Sequence, residues 1–107
     1  MGLFNFFGAG ADINSGVRKC KADPGAVLLD VRTRQEYRSG HIEGSINIPL
    51  DTISSAEKKI KDKNTPLYVY CQSGARSRQA VSYLTQAGFA KAENIGGISR
   101  YKGKVMK

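Results

Sequence analysis

Along this chain short, continuously apolar runs alternate with longer stretches in which apolar residues return every three or four positions. The run Ala26-Val27-Leu28-Leu29-Asp30-Val31 is apolar up to Asp30 and predicts a strand buried on both faces of a parallel sheet. Leu67-Tyr68-Val69-Tyr70, β-branched and aromatic behind Pro66, predicts another. Ser45 to Ile48 reads as a short strand stopped by Pro49, and Ala92 to Ile95 as a last strand leading into a turn at Gly96-Gly97. The intervening patterns are helical. Residues 13–21 predict a first helix, with Asp12 or Asn14 as its N-cap and Asp23-Pro24-Gly25 as its stop. Thr33-Arg34-Gln35-Glu36 has capping-box spacing and predicts a short helix ending at Gly40. Residues 52–61 predict a helix with Glu57, Lys58, Lys59 and Lys61 on its polar face. From Ser77 onward, Ala80, Val81, Leu84 and Ala87 keep helical spacing until Gly88. This order predicts an α/β fold: a mostly parallel sheet of four to five short strands with helices on both faces.

Composition narrows the picture. A chain of 107 residues with 40% hydrophobic content suits one small domain, here residues 12–107 behind an apolar N-terminal tail, 1–11, that packs on the domain or on a partner. The net charge of +8 points to an anionic partner. The Lys residues are scattered, and no RNA-binding signature, zinc-finger spacing or aromatic-interleaved basic stripe is present, which argues against nucleic acid. Cys20 and Cys71 have no Cys or His neighbour at ligand spacing, so no metal is expected. No stretch reaches the roughly 20 apolar residues of a membrane span. The opening Met1 to Gly10 lacks the basic start and long apolar run of an export signal, and Phe6 breaks the myristoylation pattern. A cytoplasmic monomer is the resulting expectation.

The chemistry concentrates at Cys71. It follows the strand ending at Tyr70 and precedes the helix from Ser77, the end of a parallel sheet at which ligands bind. Free amides and the dipole at that helix start, with Arg76 and Arg78 nearby, favour a thiolate. Gln72, Ser73, Gly74 and Ala75 are small or polar and can wrap a bound anion with backbone N–H groups, Gly74 supplying unusual backbone angles. The alternative, a small buried hydrophobe after a core strand, does not account for the coincidence of Gly, Arg and helix start at that cysteine.

Cys71-Gln72-Ser73-Gly74-Ala75-Arg76-Ser77 resembles the active-site loop of the rhodanese family. Asp30-Val31-Arg32, Glu36-Tyr37, Gly40-His41-Ile42 and Gly44-Ser45-Ile46-Asn47-Ile48-Pro49 resemble its first signature, and Gly96-Gly97 its closing turn. These segments cover roughly residues 12 to 103 in the family's order. The resemblance implies a rhodanese-like fold and a thiosulfate sulfurtransferase without cofactor. In it the Cys71 thiolate would take the outer sulfur of a small anionic donor, becoming a persulfide, and pass it to cyanide, a thiol or an acceptor protein. Amides from Gln72 to Arg76 would hold that sulfur, while Arg76 and Arg78 offset the donor's charge. Similar loops in cysteine phosphatases and some arsenate reductases separate Cys and Arg by five residues; the four here make a cradle too tight for a tetrahedral oxyanion. Two other readings stay open: a docking module without turnover, and a dedicated sulfur carrier.

Asp30 and Arg32 stand near the expected site mouth in a supporting role: Asp30 can accept loop amides, and Arg32 lies at i, i+4 from Glu36. His41 is expected as a hydrogen-bonded residue in a turn rather than a base. Tyr37, Tyr68, Tyr70 and Tyr83 are assigned to packing and Cys20 to a bland helical position. Where the family often has Trp after the double Gly, this chain has Tyr101, which predicts a short or frayed last helix.

Overall fold

The computed structural model describes residues 11–107, so the predicted apolar tail lies, apart from Ala11, outside the described residues. Helix α1 (Ile13–Ala22) opens at Asp12, whose carboxylate accepts the Asn14 N–H, and carries Lys19 and Lys21 in its last turn, where the helix dipole favours cations. Then follow β1 (Val27–Asp30), α2 (Arg34–Ser39), β2 (His41–Ile42), β3 (Ser45–Asn47) and α3 (Ala56–Lys59). Strand β4 (Leu67–Cys71), helix α4 (Ala75–Gln86) and strands β5 (Ala92–Gly97) and β6 (Val105–Met106) complete the order. The capping box of α2 is formed: Thr33 Oγ1 accepts the Glu36 N–H and Glu36 Oε1 accepts the Thr33 N–H.

Four strands form one parallel sheet in the order β3-β1-β4-β5. Strand alternation sorts its side chains into two cores. Leu29, Leu67, Val69 and Cys71 face α4 with Ala80, Leu84 and Phe89, together with Ile53, Ala56 and Ile60. Leu28, Tyr68, Tyr70 and Ile95 face α1 with Ile13, Val17 and Cys20. Helices therefore cover both faces, as the pattern predicts. Helix α1 reaches the sheet at Gly16, where an added Cβ would lie 2.6 Å from Ile95 Cγ2.

Five local expectations are corrected. The helix predicted over 52–61 is a 3₁₀ segment, Leu50–Ser55, followed by the single α turn of α3. Both the Thr52 N–H and its hydroxyl bond the Pro49 carbonyl, and that local bonding competes with the α pattern. The helix expected from Ser77 begins at Ala75, behind Gly74. Gly96 and Gly97 are the end of β5 rather than a turn, paired with Tyr70 and Cys71. In place of a last helix the chain makes a 3₁₀ turn, Ile98–Arg100, and then β6, which pairs antiparallel with β2 and so draws His41 out of the expected turn into a strand.

Candidate functional site

The alternation that buries Leu67 and Val69 against α4 turns Cys71 the same way, at the carboxyl end of a central strand. Cys71 is 1% exposed, so protein groups rather than water set its charge. The loop Gln72-Ser73-Gly74 folds back over it, and Gly74, at φ +105°, takes the left-handed conformation that starts α4. The Gly74 N–H donates to Cys71 Sγ at 3.0 Å, and Ser77 Oγ lies 3.4 Å from the same sulfur. Burial alone would raise the thiol pKa. The Ser77 hydroxyl and the N–H groups of Ser77, Gly74 and Ser73 outweigh it and hold the pKa below its ordinary value. A thiolate so placed is a nucleophile.

The far wall of the loop is β5. An added Cβ at Gly97 would strike the Gln72 carbonyl and sit 2.6 Å from Ser73 Cα, so only glycine lets the loop lie across this strand. The Ser99 N–H ties the loop down by donating to the Gln72 carbonyl at 3.2 Å. Asn94 Oδ1 accepts from Ser77 Oγ at 2.7 Å and from the Gly96 N–H at 3.0 Å, while Asn94 Nδ2 donates to the Gly74 carbonyl at 3.2 Å. Asn94, the hydroxyl contact of Ser77 with the sulfur and the wall-forming role of Gly97 are not found by reading the sequence. The available signal was the double glycine with Asn94 two residues before it.

The charged residues arrange themselves differently from the sequence expectation. Arg32 does not pair with Glu36. It turns back onto Asp30, donating from Nε and Nη2, and reaches the Gly40 carbonyl at 2.7 Å and Gln72 Oε1 at 3.4 Å. Asp30 accepts the Arg32 N–H at 2.8 Å, an amide of its own loop. This pair is buried, so truncating either partner strands a charge at a cost of about 3–5 kcal/mol. Glu36 instead grips Arg76 across 40 residues, at 2.7 and 3.1 Å. Arg78 is exposed on α4 and makes no side-chain hydrogen bond or ion pair with the described residues. A cleft of about 300 Å³ opens beside Arg76, lined by Val31, Thr33, Pro49, Leu50 and Asp51 at the carboxyl ends of β1 and β3. A second cleft, at the opposite end of β4 and β5, is remote from Cys71.

His41 Nδ1 lies 2.9 Å from the Tyr37 carbonyl, and its ring stacks on Tyr37 with centroids 3.8 Å apart. The Tyr37 hydroxyl donates to the Ser45 carbonyl, that of Tyr70 to Ser45 Oγ and that of Tyr68 to Asp23. Cys20 sits in the α1 core, on the opposite face of the sheet from Cys71, and burial, with Asp23 adding to it, pushes its thiol up to about 11. Among the described residues no three His, Cys, Asp or Glu side chains gather where they could hold a metal ion, and no helix is long and apolar enough to cross a membrane.

Comparison with known proteins agrees with this architecture. The profile of the rhodanese-like domain matches residues 15–104. The chain is 38% identical over 71 residues to the thiosulfate sulfurtransferase PspE of Escherichia coli K12, covering 65% of this chain and 68% of that protein. It is 33% identical over 88 residues to YrkF of Bacillus subtilis, named as a candidate sulfur carrier protein, covering 81% of this chain and about half (47%) of YrkF. A solved E. coli rhodanese with anions superposes with a TM-score of 0.71 at 34% identity, covering 77% of this chain and 98% of that one. A cysteine cradled by amides between a central parallel strand and a helix start, in a chain whose profile match runs nearly end to end, places this protein in the rhodanese family.

Proposed function

We propose that this chain is a thiosulfate sulfurtransferase that carries sulfane sulfur as a persulfide on Cys71. The observation that carries the reading is the 3.0 Å hydrogen bond from the Gly74 N–H to a buried Cys71 sulfur whose pKa is lowered. In the first step the Cys71 thiolate attacks the outer sulfur of thiosulfate. A bond forms between Sγ and that sulfur, and the donor's S–S bond breaks with its electron pair leaving on sulfite. In the second step cyanide or a thiolate attacks the outer sulfur, and the pair of the broken bond returns to Sγ. Loop amides from Gln72 to Arg76 hold the outer sulfur; Asp30 and Arg32 support the loop through Gln72. The cleft walled by Val31, Pro49 and Leu50 takes the body of an organic thiol acceptor. The similarity to PspE, itself a thiosulfate sulfurtransferase, favours this donor.

The test is intact mass after incubation with thiosulfate. A one-sulfur adduct that cyanide removes as thiocyanate, and that Cys71→Ser does not form, is the expected result; no adduct returns the chain to a docking role. The similarity to YrkF favours a second reading, in which the same persulfide is delivered to an acceptor protein. That reading predicts full loading with slow turnover on cyanide and small thiols.

A further inference from the structure

The Ser77 hydroxyl has one hydrogen and three acceptors within reach: Asn94 Oδ1 at 2.7 Å, the Gly74 carbonyl at 3.1 Å and Cys71 Sγ at 3.4 Å. The orientation of the Asn94 amide is set by two backbone groups. Its oxygen accepts the Gly96 N–H and its nitrogen donates to the Gly74 carbonyl, so the atom facing Ser77 is an acceptor, and Ser77 must donate to it. The Gly74 carbonyl already receives the Asn94 amide and the Arg78 N–H, which leaves Asn94 and the sulfur as the main competitors. The shorter contact is to Asn94.

We propose that Asn94 is a positioning residue that holds the Ser77 hydroxyl hydrogen away from Cys71 until negative charge develops on the sulfur. A neutral thiol or an inner persulfide sulfur is a weak acceptor, and the Ser77 hydroxyl goes on donating to Asn94 Oδ1. A thiolate is a strong one, and the hydroxyl turns to it through a charge-assisted bond. In the second transfer step of the reaction proposed above, on which this use of the switch rests, the acceptor bonds to the outer sulfur. The outer S–Sγ bond breaks, and its electron pair arrives on Sγ. The hydroxyl then meets the charge where it appears, as a donor already in place.

The charged groups around the loop are Arg76 of α4, paired with Glu36 of α2, and Arg32, paired with Asp30 at the end of β1. None of them contacts Asn94 by a hydrogen bond or ion pair among the described residues, so substitution there leaves both pairs standing. The test is the pH profile of Cys71 alkylation by iodoacetamide in the resting protein, with no sulfur donor, so its result is independent of the sulfurtransferase reading. Asn94→Ala removes the competing acceptor and is expected to lower the midpoint by about half a pH unit. Asn94→Asp strengthens that acceptor and is expected to raise it by about one unit. The carboxylate charge of Asn94→Asp raises the midpoint by itself, so the Ser77→Ala background is what separates a positioning role from a merely structural one. In a Ser77→Ala background the effect of Asn94→Ala is expected to vanish and that of Asn94→Asp to shrink. Shifts of one sign in both variants, or shifts unchanged by Ser77→Ala, overturn the proposal. If the alanine variant does not fold, Asn94→Asp with and without Ser77→Ala decides it.

Discussion

Arg76 donates to both carboxylate oxygens of Glu36, at 2.7 and 3.1 Å, so the guanidinium that follows the Cys71 loop is held in place by a helix from another part of the chain. The pairing joins the start of α4 to the first turn of α2 and fixes one side of the site mouth.

Arg76→Ala is expected to lower kcat/KM for thiosulfate by ~10-fold or more, because a charge-assisted contact and its fixed geometry are both lost. Arg78→Ala should cost much less, since that side chain is exposed and makes no side-chain hydrogen bond or ion pair among the described residues. Steady-state kinetics of the two variants checks the order, and a larger loss at Arg78 would contradict it.

The same pair makes stability depend on pH. Glu36 is held at about 2, against an ordinary 4.5, chiefly by the Arg76 hydrogen bond and despite some burial. A depressed carboxyl contributes its stabilisation above the unfolded value and loses it as pH falls through the folded one. Thermal unfolding should therefore show a contribution from Glu36 that is full above pH 4.5 and fades toward pH 2. The pair is partly exposed, so Glu36→Gln should cost about 0.5–1 kcal/mol at neutral pH, and less as the pH is lowered.

Cys71→Ser is expected to abolish thiocyanate formation and sulfur loading, whereas Cys20→Ser keeps most of both. The two thiols lie on opposite faces of the sheet, so Cys20 is not placed to resolve a Cys71 persulfide. Comparable losses in two folded variants, by intact mass and circular dichroism, would reverse that conclusion.

Ser77→Ala should raise the Cys71 pKa by about one unit, since a hydroxyl donor to a charged sulfur is removed while the Gly74 amide remains. Because the thiolate is the reactive form, the rising limb of the activity profile should move to higher pH. An unchanged midpoint would mean that the backbone amides alone set the thiolate.

Two glycines separate fold from function. Gly16→Ala forces a methyl toward Ile95 between α1 and the sheet, an overpacking expected to cost about 1–3 kcal/mol while leaving the thiol's reactivity intact. Gly97→Ala drives a methyl into the Gln72–Ser73 backbone and should abolish sulfur loading. Unfolding temperature and alkylation rate, measured on each, read the two effects apart.

Local pattern sufficed for much of this molecule. Continuous apolar runs at Val27–Asp30 and Leu67–Cys71 announce buried parallel strands, because a strand covered on both faces has no polar side to show. The capping box at Thr33 is local by nature, and so is the Cys71 loop, whose cysteine, glycine and helix start lie within five residues. What escaped the sequence was the partner of each polar group. Spacing on a helix offers Glu36 to Arg32, yet the parallel arrangement of β1 beside β4 brings Arg76 to Glu36 and leaves Arg32 to Asp30 and Gln72. The β2–β6 pairing joins residues far apart in the chain, and no local rule foretells it. Asn94 and Gly97 belong to the site only because β5 lies against β4, in a register that pairs Gly97 with Cys71. The sequence by itself determined which atom is the candidate nucleophile, since such a group is built from adjacent residues and one helix start. The tertiary structure decided which groups hold its proton and its charge, because hydrogen bonds and ion pairs depend on distances that only sheet order and register set.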